Sequence, residues 1–247
     1  PLGLLLPDSV AGTGGRMDVH AVAAAARSVV VASPAEPRRA PRPPVESGGA
    51  APAGLPRRLM LHVDGVGSFL LVRERCVTLG AAGGSHQPDV PLTMDGSIAP
   101  VTIERIDDDY FLIGSSGVTV NNVAVTRRLL RDGDRIALSA RCHIRFAVPN
   151  AASTSAVLSI AGARIPGTDA TRVVLLDRSL VLGPGAAAHV RADDLAEPAV
   201  VHVRDGRLFC NAAQEVTVNG HPIDRQAGLP LGAQLRLGPL SMVVKSA

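Results

Sequence analysis

Tryptophan is absent from this chain, tyrosine occurs once and phenylalanine four times, so aromatic residues fill only 2% of 247 positions. Proteins that hold single-stranded nucleic acid stack successive bases on aromatic rings. Tyr110, Phe69, Phe111, Phe146 and Phe209 are too few and too scattered for such a platform. Cysteine is also scarce: Cys76, Cys142 and Cys210 stand far apart and are odd in number. That spacing excludes a disulfide framework and a zinc pattern. Each lies inside or at the end of an apolar strand-like run, where a free cysteine is expected to act as a small buried hydrophobe. No stretch approaches the roughly 20 uninterrupted apolar residues that span a bilayer.

What is present is apolar side chain. Hydrophobic residues make up 46% of the chain and charged residues 19%, enough to fill two cores of ordinary domain size. The charge is unevenly placed. Residues 1–58 carry seven arginines and four acids, which leaves 18 basic and 18 acidic residues in the remainder, so the net charge of +3 belongs to the N-terminal segment. A balanced folded part argues against duplex binding, which needs a concentrated basic footprint to displace counterions.

The N-terminal segment reads as disordered linker. Pro34, Pro37, Pro41, Pro43, Pro44, Pro52 and Pro56 are interleaved with Arg38, Arg39 and Arg42. Such a stretch cannot form a backbone ladder and is expected to stay extended. Before it, the alanine-rich residues 19–32 suit a short helix. Their apolar run would resemble a weak signal peptide if the chain started at Met17, but Asp18 and His20 spoil the basic leader. A cytoplasmic location is therefore expected.

From Leu59 onward, short period-two runs alternate with turn residues, the pattern of an all-β sandwich or barrel. Val101-Thr102-Ile103-Glu104-Arg105-Ile106 meets Tyr110-Phe111-Leu112-Ile113 across Asp107-Asp108-Asp109, and Asp205-Gly206 reads as a hairpin turn. One turn is written twice: Val118-Thr119-Val120-Asn121-Asn122 and Val216-Thr217-Val218-Asn219-Gly220, 98 residues apart. The late strands around Ile136 and Leu235 repeat at 99 residues and the early glycines, Gly80 and Gly183, at 103. A spacing near a hundred is far too long for a solenoid unit and fits two copies of one domain. The expected organisation is a linker at 1–58, one sandwich at 59–149 and a second at 156–247. A short, uncharged link between them implies that the two pack together.

Val118 to Asn122, followed by Leu130-Arg131-Asp132-Gly133-Asp134-Arg135-Ile136-Ala137-Leu138 and Ile144-Arg145-Phe146, resembles the C-terminal half of the forkhead-associated (FHA) domain. In the second repeat, Val218-Asn219-Gly220 and Leu229-Pro230-Leu231-Gly232-Ala233-Gln234-Leu235 carry a worn version of the same pattern. The resemblance implies two consecutive FHA-like β-sandwiches that bind partners through loops at one end. It also implies a phosphothreonine site made of an arginine after the early glycine, a serine-arginine step with a histidine two places on, and an asparagine-glycine before the turn. A phosphate of nearly two charges needs such a guanidinium fork.

The chain departs from that pattern. In the first repeat Ala81 takes the arginine position. Ser97 keeps the serine, but Ile98 and Pro100 take the arginine and histidine positions, and Ser116-Gly117 replaces asparagine-glycine. In the second, Pro184 follows the glycine, Glu197, Pro198 and Val200 take the serine, arginine and histidine positions, and Gln214-Glu215 replaces asparagine-glycine. Asn121 and Asn219 are read as turn formers, since asparagine tolerates positive φ. Arg73, Arg75, Arg127, Arg128, Arg141 and Arg145 offer material for a substitute anion site, though the neighbouring acids Glu74, Asp132 and Asp134 balance them.

Catalysis finds little support. The histidines show no metal-ligand spacing, and Cys142-His143 is adjacent in a strand, which sends the two side chains to opposite faces. The acid run at 107–109 lacks the alternating ligands of a calcium loop. Gly80-Ala81-Ala82-Gly83-Gly84 lacks the lysine-serine of a phosphate loop. The expectation is a non-enzymatic interaction or scaffold module with no cofactor and no metal. Its partner would be a protein bound independently of phosphate. The rival reading is a nucleic-acid or anionic-surface binder working through the basic N-terminal tail.

Overall fold

Alternation of buried and exposed residues along short runs builds an all-β architecture in the computed structural model, which describes residues 54–84, 86–224 and 226–247. The expected linker up to residue 53 and the helix at 19–32 lie outside the described residues. Among the described residues, eleven strands form the first half: β1 (Arg58–Val63), β2 (Gly67–Val72), β3 (Cys76–Ala81), β4 (Val90–Leu92), β5 (Val101–Ile106), β6 (Asp109–Gly114), β7 (Thr119–Val120), β8 (Val123–Ala124), β9 (Arg127–Leu129), β10 (Arg135–Ala137) and β11 (His143–Ala147). The second half holds β12 (Ala156–Ala161), β13 (Arg172–Leu175), β14 (Ser179–Gly183), β15 (Val190–Arg191), β16 (Ala199–Arg204), β17 (Arg207–Asn211), β18 (Val216–Val218), β19 (His221–Pro222), β20 (Gln234–Leu237) and β21 (Leu240–Ser246). A 3-10 turn, Ala151–Ser153, stands between them. No helix among the described residues is long and apolar enough to cross a membrane.

The turns follow from their residues. Asp107 (φ 54) carries the hairpin from β5 to β6, and Asp205 with Gly206 (φ 50 and 68) carries the one from β16 to β17. Asparagine, aspartate and glycine enter this left-handed region at low cost.

The repeat is visible as a palindrome. One twelve-stranded sheet runs β19-β18-β20-β21-β1-β2-β13-β12-β11-β10-β7-β8, in which each strand has its counterpart at the mirrored position. Two smaller sheets, β4-β3-β5-β6-β9 and β15-β14-β16-β17, are likewise counterparts; the place of β9 is taken in the second by a single bridge from Leu208 to Leu229. At the middle, β2 and β13 pair in parallel. A two-fold axis in the sheet along the strand direction produces this arrangement, because it keeps strand direction and exchanges the faces.

The cores obey the same operation. Val77, Leu79, Ile103 and Leu112 of the five-stranded sheet pack with Ile136, Ile144 and Phe146, whereas Leu182, Val201 and Leu208 of the four-stranded sheet pack with Leu235, Leu237 and Met242. The central strands serve both cores by parity. Met60, Leu70, Val72, Leu158, Val173 and Leu175 face the first core; Leu59, Leu61, Phe69, Leu71, Val157 and Val174 face the second. Strands buried on both faces read as continuous apolar runs, as Phe69-Leu70-Leu71-Val72 and Val173-Val174-Leu175 do.

The boundary expected between residues 149 and 156 does not separate the cores. β1 pairs with β21 at the far end of the chain, and β12, which follows the expected boundary, pairs with β11. Each layered half completes its large sheet with the hairpin that opens the other repeat. The linking residues are correspondingly buried: Ser153, Thr154 and Ser155 are at most 3% exposed. Tyr110 Oη donates to Thr154 O at 2.7 Å, the Thr154 hydroxyl donates to Asp177, and Asp177 pairs with Arg105 at 2.6 Å.

Candidate functional site

In the first repeat the loops expected to carry a site meet at one end of the layers, around a cleft of about 570 Å³. Pairing of Leu79 with Val101 sets Gly80 beside Pro100, where a Cβ on the glycine would stand 3.6 Å from the proline Cβ. Ser115 Oγ donates to Pro100 O at 3.1 Å, and Ala99 N–H donates to Leu138 O at 3.1 Å, which ties this loop to the large sheet. Asp89 holds the opposite wall: its carboxylate accepts from Thr78 N–H (2.8 Å) and Thr78 Oγ1 (2.7 Å).

Of the expected positions, Ala81 lines the cleft. Ser97 and Ser116 are exposed and lie one residue outside the lining, which is supplied instead by Ile98 and Ser115. Pro100, Val101 and the half-exposed Ile113 complete an uncharged wall, and no arginine, lysine, aspartate or glutamate is among the described lining residues. Such a surface suits an apolar or neutral segment. A phosphate here would meet no guanidinium.

The second repeat differs in register and in filling. Leu182 pairs with Ala199, so Gly183 faces Pro198 as Gly80 faces Pro100. Glu197 therefore corresponds to Ala99 rather than to Ser97, a two-residue shift from the sequence equivalence. A Cβ on Gly183 would stand 2.9 Å from Pro198 Cα, closer than such atoms approach. Beside Pro184 and the exposed Glu197, the Gln214 carboxamide, with its oxygen turned to the chain, accepts from Ala196 N–H (3.3 Å) and Glu197 N–H (3.2 Å). This side chain staples the loop, where the first repeat has only the short Ser116 side chain.

Asn121 and Asn219 are not among the described residues that line the cleft. Asn121 (φ 52) turns β7 into β8, and its side chain accepts from Arg135 N–H at 2.9 Å and donates to Asp134 Oδ1 at 2.7 Å. Asp134 is 6% exposed, and its other oxygen accepts from Arg131 N–H at 2.9 Å. Asn219 (φ 50) repeats the clasp to Gln234 N–H at 3.0 Å, with Ala233 where the aspartate would be. Their role in the structure is that of turn clasps.

The remaining reactive groups are dispersed. Cys142 and Cys210 are buried, and burial pushes both thiols up, Cys210 to about 11. Cys76 is exposed, contrary to expectation, because Val77 and Leu79 take the inward parity of β3. No group of three or more histidines, cysteines and acids with metal-binding proximity occurs among the described residues.

One constellation escaped sequence reasoning. His62 Nδ1 lies 2.8 Å from Ser68 Oγ, and the Asp169 carboxylate, also bonded to Ser68, is held below the usual carboxylate range chiefly by that hydroxyl. The carboxylate acts on the hydroxyl chiefly and not through the imidazole, so the three groups lack the carboxylate–imidazole–hydroxyl order of the relay that activates a serine nucleophile. Pairing across Asp64-Gly65 made the His62–Ser68 contact legible from a hairpin register; nothing local announced Asp169.

His189 is 3% exposed, accepts from Val181 N–H at Nδ1 (3.0 Å), and lies at Nε2 2.8 Å from Ser153 Oγ and 3.2 Å from Ser155 O. Burial lowers its pKa. It belongs to the buried joint between repeats, not to a cleft.

No protein-family model, no curated protein and no solved structure matches this chain.

Proposed function

We propose that this chain is a non-enzymatic protein-interaction module of two FHA-like repeats, which engages a partner protein through the loop-end cleft of the first repeat without depending on phosphate. The observation that carries this reading is the cleft itself: loops of three strands converge on it, and no arginine, lysine, aspartate or glutamate is among its described lining residues. Removing a guanidinium fork forfeits charge-assisted bonds of roughly 1.5–3 kcal/mol each. An apolar peptide side chain loses nothing there. The second repeat, its loop stapled by Gln214, acts as scaffold, and the shared sheet fixes its position relative to the first.

The test selects peptides on the full chain from paired libraries, with and without phosphothreonine, and repeats each titration on Ile113→Glu, which places a carboxylate on the cleft wall. The expected result is neutral, apolar binders that lose at least tenfold in affinity on Ile113→Glu. Binding tighter than about 10 μM (roughly 7 kcal/mol) that requires the phosphate and is lost in Ile113→Glu overturns the reading.

A further inference from the structure

We propose that the outer face of β10, β11 and β12 is a binding site for a phosphoryl-type dianion, built from Arg135, Arg145, Ser159 and His143 and separate from the loop-end cleft. Strand register makes the site. Arg135 stands directly opposite Arg145, Arg145 opposite Ser159, and Ser159 opposite Arg172, so one row crosses four strands on one face. Two positions along β11, on the same face, His143 lies between Ala137 and Ala161, whose small side chains leave room around the imidazole. Arg135, His143, Arg145, Ser159 and Ala161 line a depression of about 480 Å³.

Three observations point to an anion. First, like charges directly opposite on adjacent strands repel, yet Arg135 and Arg145 face each other and neither pairs with a carboxylate among the described residues. Arg172, at the end of the row, is occupied over the Phe69 ring at 4.7 Å. Second, His143 Nδ1 is buried and has no hydrogen-bond partner among the described residues, a condition it shares with His62 Nε2 in the counterpart ladder. An orphaned buried nitrogen is uncommon and calls for a group to fill its valence.

Third, the fold does not require these arginines. The two-fold relation carries Arg135, Arg145 and Ser159 onto Gln234, Val243 and His62, which form the same ladder with no opposed cations. A dianion seated between the two guanidinium groups and the Ser159 hydroxyl, with the His143 ring beside it, relieves the repulsion. The row is three strand spacings across, roughly 14 Å, and carries no exposed aromatic ring, which fits a single phosphoryl group better than a polynucleotide backbone.

The test is calorimetric titration and thermal shift of the full chain with inorganic phosphate and, separately, with phenyl phosphate, against sodium chloride at equal ionic strength. Expected is saturable binding of at least one probe, weakened tenfold or more in Arg145→Gln and in Arg135→Gln and unchanged in Arg141→Gln, which lies outside the row. The midpoint without phosphate should not fall in either row variant, because each removes a like-charge contact. Tighter binding of inorganic phosphate marks the free anion as ligand; tighter binding of phenyl phosphate marks a phosphomonoester. No saturation by 10 mM of either probe, or equal binding in wild type and Arg145→Gln, overturns the proposal. Phosphate dependence that is lost with Arg145→Gln and unaffected by Ile113→Glu supports this site without touching the cleft reading.

Discussion

Asn121 shows how one side chain can be legible in type and illegible in duty. Its sequence setting announced a turn, and the positive φ of 52 agrees. That it also grips a buried aspartate thirteen positions on required the β7–β10 pairing. Asp134→Ala should cost roughly 1–3 kcal/mol, because it strips Asn121 Nδ2 and Arg131 N–H of their acceptor at once. Denaturant midpoints check this, with Ala233→Asp in the second repeat as the converse substitution, expected to be neutral or stabilising. His189 gives the pH counterpart. Its folded pKa lies below the ordinary 6.5 because burial disfavours the imidazolium, so the unfolded chain binds the proton first. Its contribution is complete above about pH 6.5 and is lost as pH falls through the folded pKa. Unfolding free energies measured from pH 7.5 to 5 should fall with acidity in the wild type, with a smaller slope in His189→Gln.

Among elements, the β1–β2 hairpin carries most of what sequence could not tell. Its alternation, its Asp64-Gly65 turn and its apolar runs were all readable, and the all-β class followed from many such segments. Its destination was not. Both faces of the hairpin are apolar, and period-two patterning names a face only when the other face is polar. Placement of β1 against β21, almost the whole chain away, depends on non-local pairing that leaves no local mark. The two candidate sites divide in the same way. Gly80 and Pro100 were legible as loop positions, whereas the arginine row emerged only when register aligned strands from both sides of the link. Deleting residues 54–75 removes Leu59, Leu61, Phe69 and Leu71, each at most 1% exposed, from the second core. At about 1.5–3 kcal/mol per side chain, that loss rivals the whole stability of an ordinary domain, about 5–15 kcal/mol. The chain 76–247 should therefore show no cooperative transition by circular dichroism, and adding back a 54–75 peptide should restore one.

At the scale of the whole molecule, two cores on opposite faces of one sheet should melt as one. Tyr110, the chain's single tyrosine, sits in the first core and reports on it by fluorescence. Leu182 is fully buried in the second. Leu182→Ala, at a typical cost of about 2–5 kcal/mol, should lower the Tyr110 midpoint as much as it lowers the calorimetric one. A Tyr110 transition left in place by that substitution would mean that the halves unfold independently, despite the strands they share.

The β1–β21 seam bears on how the molecule responds to mechanical load. Leu59 pairs with Ser246 and Val63 with Met242, while Ala247 N–H donates to Arg58 O at 3.3 Å, so residues 58 and 247 enter and leave the sheet side by side. Tension applied between those two points opens the ladder like a zipper, one pair after another from the Leu59 end, instead of shearing all its bonds together. The molecule should yield at low force along this seam, and the parallel β2–β13 junction at its centre is loaded only after the seam has parted.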